Sequence, residues 1–173
     1  MGQGQDSADL RDTRWLPVIL WLSFIFWMST GMFSAHHTFP MVRLFMGFFF
    51  PHLAHGHVMP VHALVRKAAH VTEYFVLGLL LFRALGVGSV GPWQWRWSVL
   101  ALLGVLVCAL SDELHQWFVP SRTASMMDVG IDTAGGILAQ IASALWYHYA
   151  YRRDGNLGGE GEEKGVTSWE QLL

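Results

Sequence analysis

Residues 15–35, Trp15-Leu16-Pro17-Val18-Ile19-Leu20-Trp21-Leu22-Ser23-Phe24-Ile25-Phe26-Trp27-Met28-Ser29-Thr30-Gly31-Met32-Phe33-Ser34-Ala35, contain no charged side chain. At about 1.5 Å per helical residue this run covers roughly 30 Å, the thickness of a bilayer's hydrocarbon core. Pro17 falls in the first turn, where its missing N–H does no harm. The run is too long for the apolar region of a cleaved signal peptide and lacks a small-residue cleavage site. It therefore reads as a retained first membrane span.

The next spans are less plain. Residues 74–82 lie uncharged between Glu73 and Arg83, but nine residues make only about 13 Å of helix. A span here must begin near Arg66 and carry His70 and Glu73 one to two turns inside. Residues 97–110, between Arg96 and Ser111, are likewise short and must extend to about Trp117. That extension draws in Asp112, Glu113, His115 and Gln116. Residues 133–151 suffice alone, with Asp132 at their edge and Asp128 one turn outside. Between spans one and two, residues 39–63 carry Phe45, Phe48, Phe49 and Phe50 and are too apolar for a free loop, so an interfacial helix is expected. Residues 86–92 and 118–127 read as short connections.

The fold class that follows is all-α: a polytopic helical bundle with about four transmembrane helices and an interfacial helix after the first. The expected organisation is a polar tail over 1–14, a transmembrane domain over 15–151, and a disordered cytoplasmic tail over 152–173. Composition agrees. The chain has 173 residues, 53% of them hydrophobic and 14% charged, outside the usual soluble balance. Its net charge of −2 gives no electrostatic case for nucleic acid. Cys108, the single cysteine, excludes an internal disulfide and reads as a small packing residue.

Between Thr13 and Tyr151 there are five carboxylates: Glu73, Asp112, Glu113, Asp128 and Asp132. An acid at bilayer depth costs several kcal/mol unless it is paired or faces water, so such acids mark function by default. With four spans, Arg11, Arg14, Arg83, Arg96, Arg152, Arg153 and Lys164 share one side, and Arg43, Arg66, Lys67 and Arg122 the other. The larger group belongs in the cytoplasm by the positive-inside rule. Both termini are then cytoplasmic, and all five acids gather at the extracytoplasmic face of the inner membrane.

Helical spacing refines the gathering, because residues three and four apart share a face. Arg66, His70 and Glu73 form one stripe, and Lys67, His70 and Tyr74 another. Asp112, His115 and Gln116 line up on span three below Gly104, Cys108 and Ser111. Asp128 and Asp132 continue into Gly135, Ala139 and Ser143, a small-residue seam of the kind that lets helices approach closely in lipid. Three readings stay open. In one, acids and bases pair only to hold the bundle, with Arg66 or Arg122 clamping a carboxylate. In another, His70, Glu73, Asp112, Glu113 and His115 supply acid–base chemistry. Arg66, Lys67, Gln116, Arg122, Asp128 and Asp132 then bind the substrate, the cations taking a phosphate or carboxylate. A metal reading is poorest: Glu73 follows His70 by three, the reverse of the Glu-x-x-His order of di-iron bundles. His36, His37, His52, His55, His57 and His62 match no zinc spacing either. No metal or cofactor is expected; membrane lipids, and a lipid-linked or cell-wall precursor, are the expected partners.

At these residues the chain resembles the VanZ-like family of bacterial membrane proteins. The matching stretches are Arg66-Lys67-Ala68-Ala69-His70-Val71-Thr72-Glu73-Tyr74 with Leu77-Gly78, then Ser111-Asp112-Glu113-Leu114-His115-Gln116-Trp117-Phe118-Val119-Pro120-Ser121-Arg122, then Asp128 through Asp132 to Gly135-Gly136. Ser121 stands where the family usually has Gly. The resemblance covers roughly residues 16–146 and implies a membrane address. The founding member's association with low-level teicoplanin resistance implies a link to glycopeptides or to cell-wall lipid handling. It implies no particular reaction.

Overall fold

A computed structural model of the chain describes residues 13–52, 54–86 and 93–170, with side chains described outside 54–55 and 153–170. Most of the N-terminal tail, the connection at 87–92 and the last three residues lie outside the described residues. Among the described residues five α-helices follow one another: α1 Leu16–Met28, α2 Ala35–Phe49, α3 Ala54–Gly86, α4 Trp95–Trp117 and α5 Met126–Glu170, with a 3-10 turn at Gly31–Phe33 between the first two. Three of them contain stretches long and apolar enough to cross a membrane: Gly56–Gly86, Trp95–Trp117 and Met126–Arg152. The fourth candidate is the bent pair Leu16–Met28 and Gly31–Phe49, which meets the test only when taken together.

The uninterrupted first span expected over 15–35 is thus corrected. Its helix stops at Met28, after about 20 Å, and the following helical stretch turns away by 63°. The cause is polar competition inside an apolar run. Thr30 is extended (φ −67°, ψ 167°), and its hydroxyl donates back to the Trp27 carbonyl at 2.7 Å. The Ser29 hydroxyl leaves for another helix, as described below. Short hydroxyl side chains offer the backbone an alternative to the helical ladder; here the alternative wins.

Where an interfacial helix is expected, α2 presents exposed Met41, Leu44, Phe45, Phe48 and Phe49. α3 then starts at Ala54, a dozen residues before the start that charge alone suggests, and absorbs Pro60. The composition of 152–173 suggests a disordered tail, whereas the α5 backbone runs on as helix to Glu170. Extending an existing helix gains one hydrogen bond per residue fixed.

The most extensive packing joins α3 to α5, with α4 against both. Glycines set that closeness. A Cβ on Gly135 would lie 2.5 Å from the Val71 carbonyl oxygen, and one on Gly136 would lie 2.7 Å from Val105 Cγ1. Ala139 and Ser143 are buried on the same face, so the expected α5 seam is present. The α4 seam differs from expectation. Its buried face is Ala101, Val105, Ala109, Glu113 and Gln116, whereas Ser111 is exposed.

Candidate functional site

The broken end of α1 organises the site. A helix end leaves backbone carbonyls without partners, and Arg122, carried by the turn after α4, supplies donors. Its Nη2 donates to the Met28 and Thr30 carbonyls (3.1 Å to Thr30), and its Nε to Thr30 at 3.3 Å. Arg122 therefore does not pair with Asp112 or Asp128, as sequence logic allowed. Burial, then the nearby Arg66, lower its pKa, but an arginine stays charged in proteins. Beside it, the Ser29 hydroxyl donates to Asp112 Oδ1 at 2.5 Å. Gln116 Nε2 donates to Asp112 Oδ2 at 2.9 Å and to Ser29 Oγ at 3.0 Å. Both Asp112 oxygens accept, so an acceptor-only carboxylate suits the position. α1 is thereby fastened to α4.

On the opposite wall, α3 meets α5 through His70. Its Nδ1 lies 3.0 Å from Oδ1 of Asp132, which is fully buried. Among the described residues this is the one acid–base side-chain contact within salt-bridge distance, an ion pair when His70 is protonated. Because Nδ1 is engaged, Nε2 is the ring nitrogen left for other work. The Glu73 backbone carbonyl accepts from the Trp21 indole at 2.9 Å, which holds α1 against α3.

These groups enclose a cavity of about 670 Å³, counting its open mouth. Its polar lining is Ser29, Thr38, His62, Arg66, His70, Glu73, Asp112, Gln116 and Arg122; the remainder is apolar, including Ile25, Phe33, Val42 and Val65. A second, wider groove adjoins it and shares His62, Arg66 and His70, adding Lys67, Ser125 and Asp128. Among the described residues, the side chains of Arg66 and Glu73 form no hydrogen bond and no ion pair. A cation and an acidic side chain thus face one cavity without bonding to each other. They stand seven residues apart on α3, roughly 10 Å along its axis, with His70 between.

Of the candidates named from sequence, Arg66, His70, Glu73, Asp112, Gln116 and Arg122 line the inner cavity, and Asp132 lies behind His70. Lys67 and Asp128 line the outer groove. Glu113 and His115 go elsewhere. Glu113 is buried and its Oε2 accepts from the Ser125 N–H at 2.5 Å, just before the first turn of α5. A carboxylate there suits both the free N–H groups and the helix dipole. His115 packs on Phe26 with ring centroids 4.5 Å apart and lines another cleft with Tyr74, Cys108 and Asp112, which borders both spaces. Sequence reasoning missed Ser29 and the Thr38–His62 contact of 2.9 Å. The polar triplet Ser29-Thr30-Gly31 inside the apolar run was the available signal for the first. Among the described residues, no group of three or more His, Cys, Asp or Glu is placed to hold a metal ion.

The fold and this site define a polytopic α-helical membrane protein with a polar cavity built into one end of its bundle. The chain belongs to the VanZ/LLP1 family, whose family model matches residues 14–147. No curated protein and no solved structure gives a significant match to it.

Proposed function

We propose that this VanZ-like protein acts on the anionic head group of a lipid-linked or phosphorylated amphiphile, with His70 as the proton-transferring group. The observation that supports the reading most is Arg66, a cation that lines the polar cavity and whose side chain makes no hydrogen bond or ion pair among the described residues. A phosphate or carboxylate matches the planar guanidinium fork. One turn on, His70 takes or gives a proton at Nε2 while Asp132 stabilises the imidazolium at Nδ1, the arrangement of an oriented general acid–base. Glu73, one turn further, suits a hydroxyl or amine of the same head group.

The setting proposed is the bacterial inner membrane, with both termini cytoplasmic and the cavity at the outer face. A cell-wall lipid precursor is the natural partner there, and altered precursor handling would connect the protein to teicoplanin-type resistance. Reporter fusions after Gly88 and after Asp154 are expected to read cytoplasmic, and one after His57 external. A cytoplasmic signal at His57 would move the cavity to the wrong compartment.

A second reading has the polar groups acting only as structure, in a bundle or partner subunit. It is favoured by Asp112, Arg122 and Glu113, whose side chains are engaged in holding helix ends. The two separate on one experiment. Full-length protein is reconstituted into vesicles of phosphatidylglycerol with polyprenyl phosphate and polyprenyl diphosphate, and phosphorus NMR follows the head groups. A signal that converts only when the protein is present supports the proposal. Unchanged spectra with folded protein leave the structural reading standing.

A further inference from the structure

Between α2 and α3 runs a groove whose walls carry no polar side chain. Met41, Phe45 and Phe50 of the α2 region face Val61 of α3, with Met46 at the floor, and its volume is about 1060 Å³ with its open side included. Val42 and Val65 also line it, and these same two residues line the polar cavity. Val65 immediately precedes Arg66 in the chain. Groove and cavity therefore share two wall residues, Val42 on α2 and Val65 on α3. Met41 and Phe45 remain 72% and 56% exposed, so the groove's walls are open among the described residues.

The walls that the two spaces share are the informative point. An apolar surface facing a bilayer is satisfied by any lipid tail and would need no account. A groove that shares two walls with a cavity holding an arginine, one with no hydrogen bond or ion pair among the described residues, distinguishes one tail from the rest, the tail joined to an anionic head. We infer that the ligand is a single amphiphile with its anionic head in the cavity at Arg66 and its hydrocarbon chain in the α2–α3 groove. The inference rests on the head-group reading above and adds a chain requirement to it. The α2 wall spans ten residues from Met41 to Phe50, roughly 14 Å of helix, which suits a long saturated or isoprenoid chain and leaves a short alkyl group largely unsupported. The bend after Met28 is what sets α2 aside from α1 and makes this space, so the break in the first span serves the ligand as well as the fold.

The test compares two probes that share a head and differ in chain: butyl phosphate and hexadecyl phosphate. Equilibrium binding of each, radiolabelled, is measured on the purified full-length protein in a neutral detergent, with protein-free micelles subtracted. Val61→Trp narrows the groove without touching the cavity, and Met41→Trp does so from an exposed position, which covers the case in which Val61→Trp fails to fold. Either variant is expected to weaken hexadecyl phosphate by about tenfold or more, a difference of one tenfold step in affinity, and to leave butyl phosphate within about twofold. Arg66→Gln is expected to weaken both probes. Folded groove variants that bind both probes as the wild type does, while Arg66→Gln loses both, overturn the chain groove and leave the head-group site intact. Equal losses of both probes in the groove variants also overturn it, since the chain then makes no separate contribution. Wild-type protein that binds neither probe, or Arg66→Gln that binds both normally, brings down the head-group reading and the groove with it.

Discussion

Gly135→Val is expected to destabilise the bundle markedly, whereas Gly130→Ala, five residues earlier on the same helix, leaves it intact. A Cβ at Gly135 would meet backbone on α3, 2.5 Å from the Val71 carbonyl oxygen and 3.1 Å from the Phe75 nitrogen. Backbone atoms in a packed helix cannot swing aside as a side-chain terminus can, so α5 itself would have to move. That movement would also disturb the neighbouring Gly136–Val105 contact and the approach of Gly78 to Ala139. Overpacking costs typically 1–3 kcal/mol and occasionally more; a backbone obstacle belongs at the upper end, about 3 kcal/mol. In a chain of this length that is roughly 6–12 °C of melting temperature. Around Gly130 there is nothing within 4 Å of an added Cβ, and alanine is the better helix former by about 1 kcal/mol. Gly130→Ala should therefore melt at or slightly above the wild-type temperature. Circular dichroism melts of the purified protein, with its elution profile, read both. A Gly135→Val protein melting within about 2 °C of wild type would mean that the close α3–α5 approach is not what holds the helices together.

The same glycines show where sequence reasoning about the fold succeeds and where it slips. Small residues repeating every fourth position on α5 predict a packed face, and Gly135, Ala139 and Ser143 are buried. The same rule applied to α4 selects Gly104, Cys108 and Ser111, one position away from the face built on Val105 and Ala109. A glycine on one helix makes a hollow, and what fills it is a larger side chain on the other, here Val105 against Gly136. Periodicity in one helix does not reveal which partner fills the hollow. Hydropathy likewise finds the apolar run at 15–35 but weighs serine and threonine only by transfer cost. It does not register that Thr30 can bond back to Trp27 and that Ser29 can bond out to Asp112, which together end the helix.

Within the site, spacing on a single helix is reliable. Arg66, His70 and Glu73, placed on one stripe by their intervals of four and three, line one cavity. Adjacency in a motif is not. Asp112 and Glu113 are neighbours in sequence but about 100° apart around a helix, and one serves the cavity wall while the other serves the start of α5. Charge logic offers Arg122 a carboxylate or an anionic ligand and leaves out the partners it bonds. The competing acceptors are backbone carbonyls that exist only because α1 is broken. A tertiary break created that demand, and no local pattern announces it.

His70→Gln is expected to remove head-group turnover by about 10²–10⁴-fold, the usual contribution of a positioned acid–base group, with the melting temperature nearly unchanged. Glutamine can hydrogen-bond to Asp132 but cannot shuttle a proton. Asp132→Asn is the sharper companion. Its amide oxygen can still accept from the His70 Nδ1–H, so the ring keeps its place, but the charge that stabilises the imidazolium is gone. A large loss of turnover with retained fold is expected there too. Asp132→Ala differs, because it strips a buried hydrogen bond of 3.0 Å and leaves a ring nitrogen without its partner, at a cost of about 1–3 kcal/mol. Glu113→Gln supplies the control, since an amide oxygen still accepts from the Ser125 N–H and only the charge beside the helix start is lost. That change should lower stability by about 1 kcal/mol or less and spare turnover. Phosphorus NMR turnover in vesicles and thermal melts, run on all four variants, separate the outcomes. Wild-type turnover in His70→Gln would remove proton transfer from the mechanism. Melting temperatures of His70→Gln and Asp132→Asn that fall as far as that of Asp132→Ala would identify the pair as a structural clasp between α3 and α5, and the cavity would then need another group to do its chemistry.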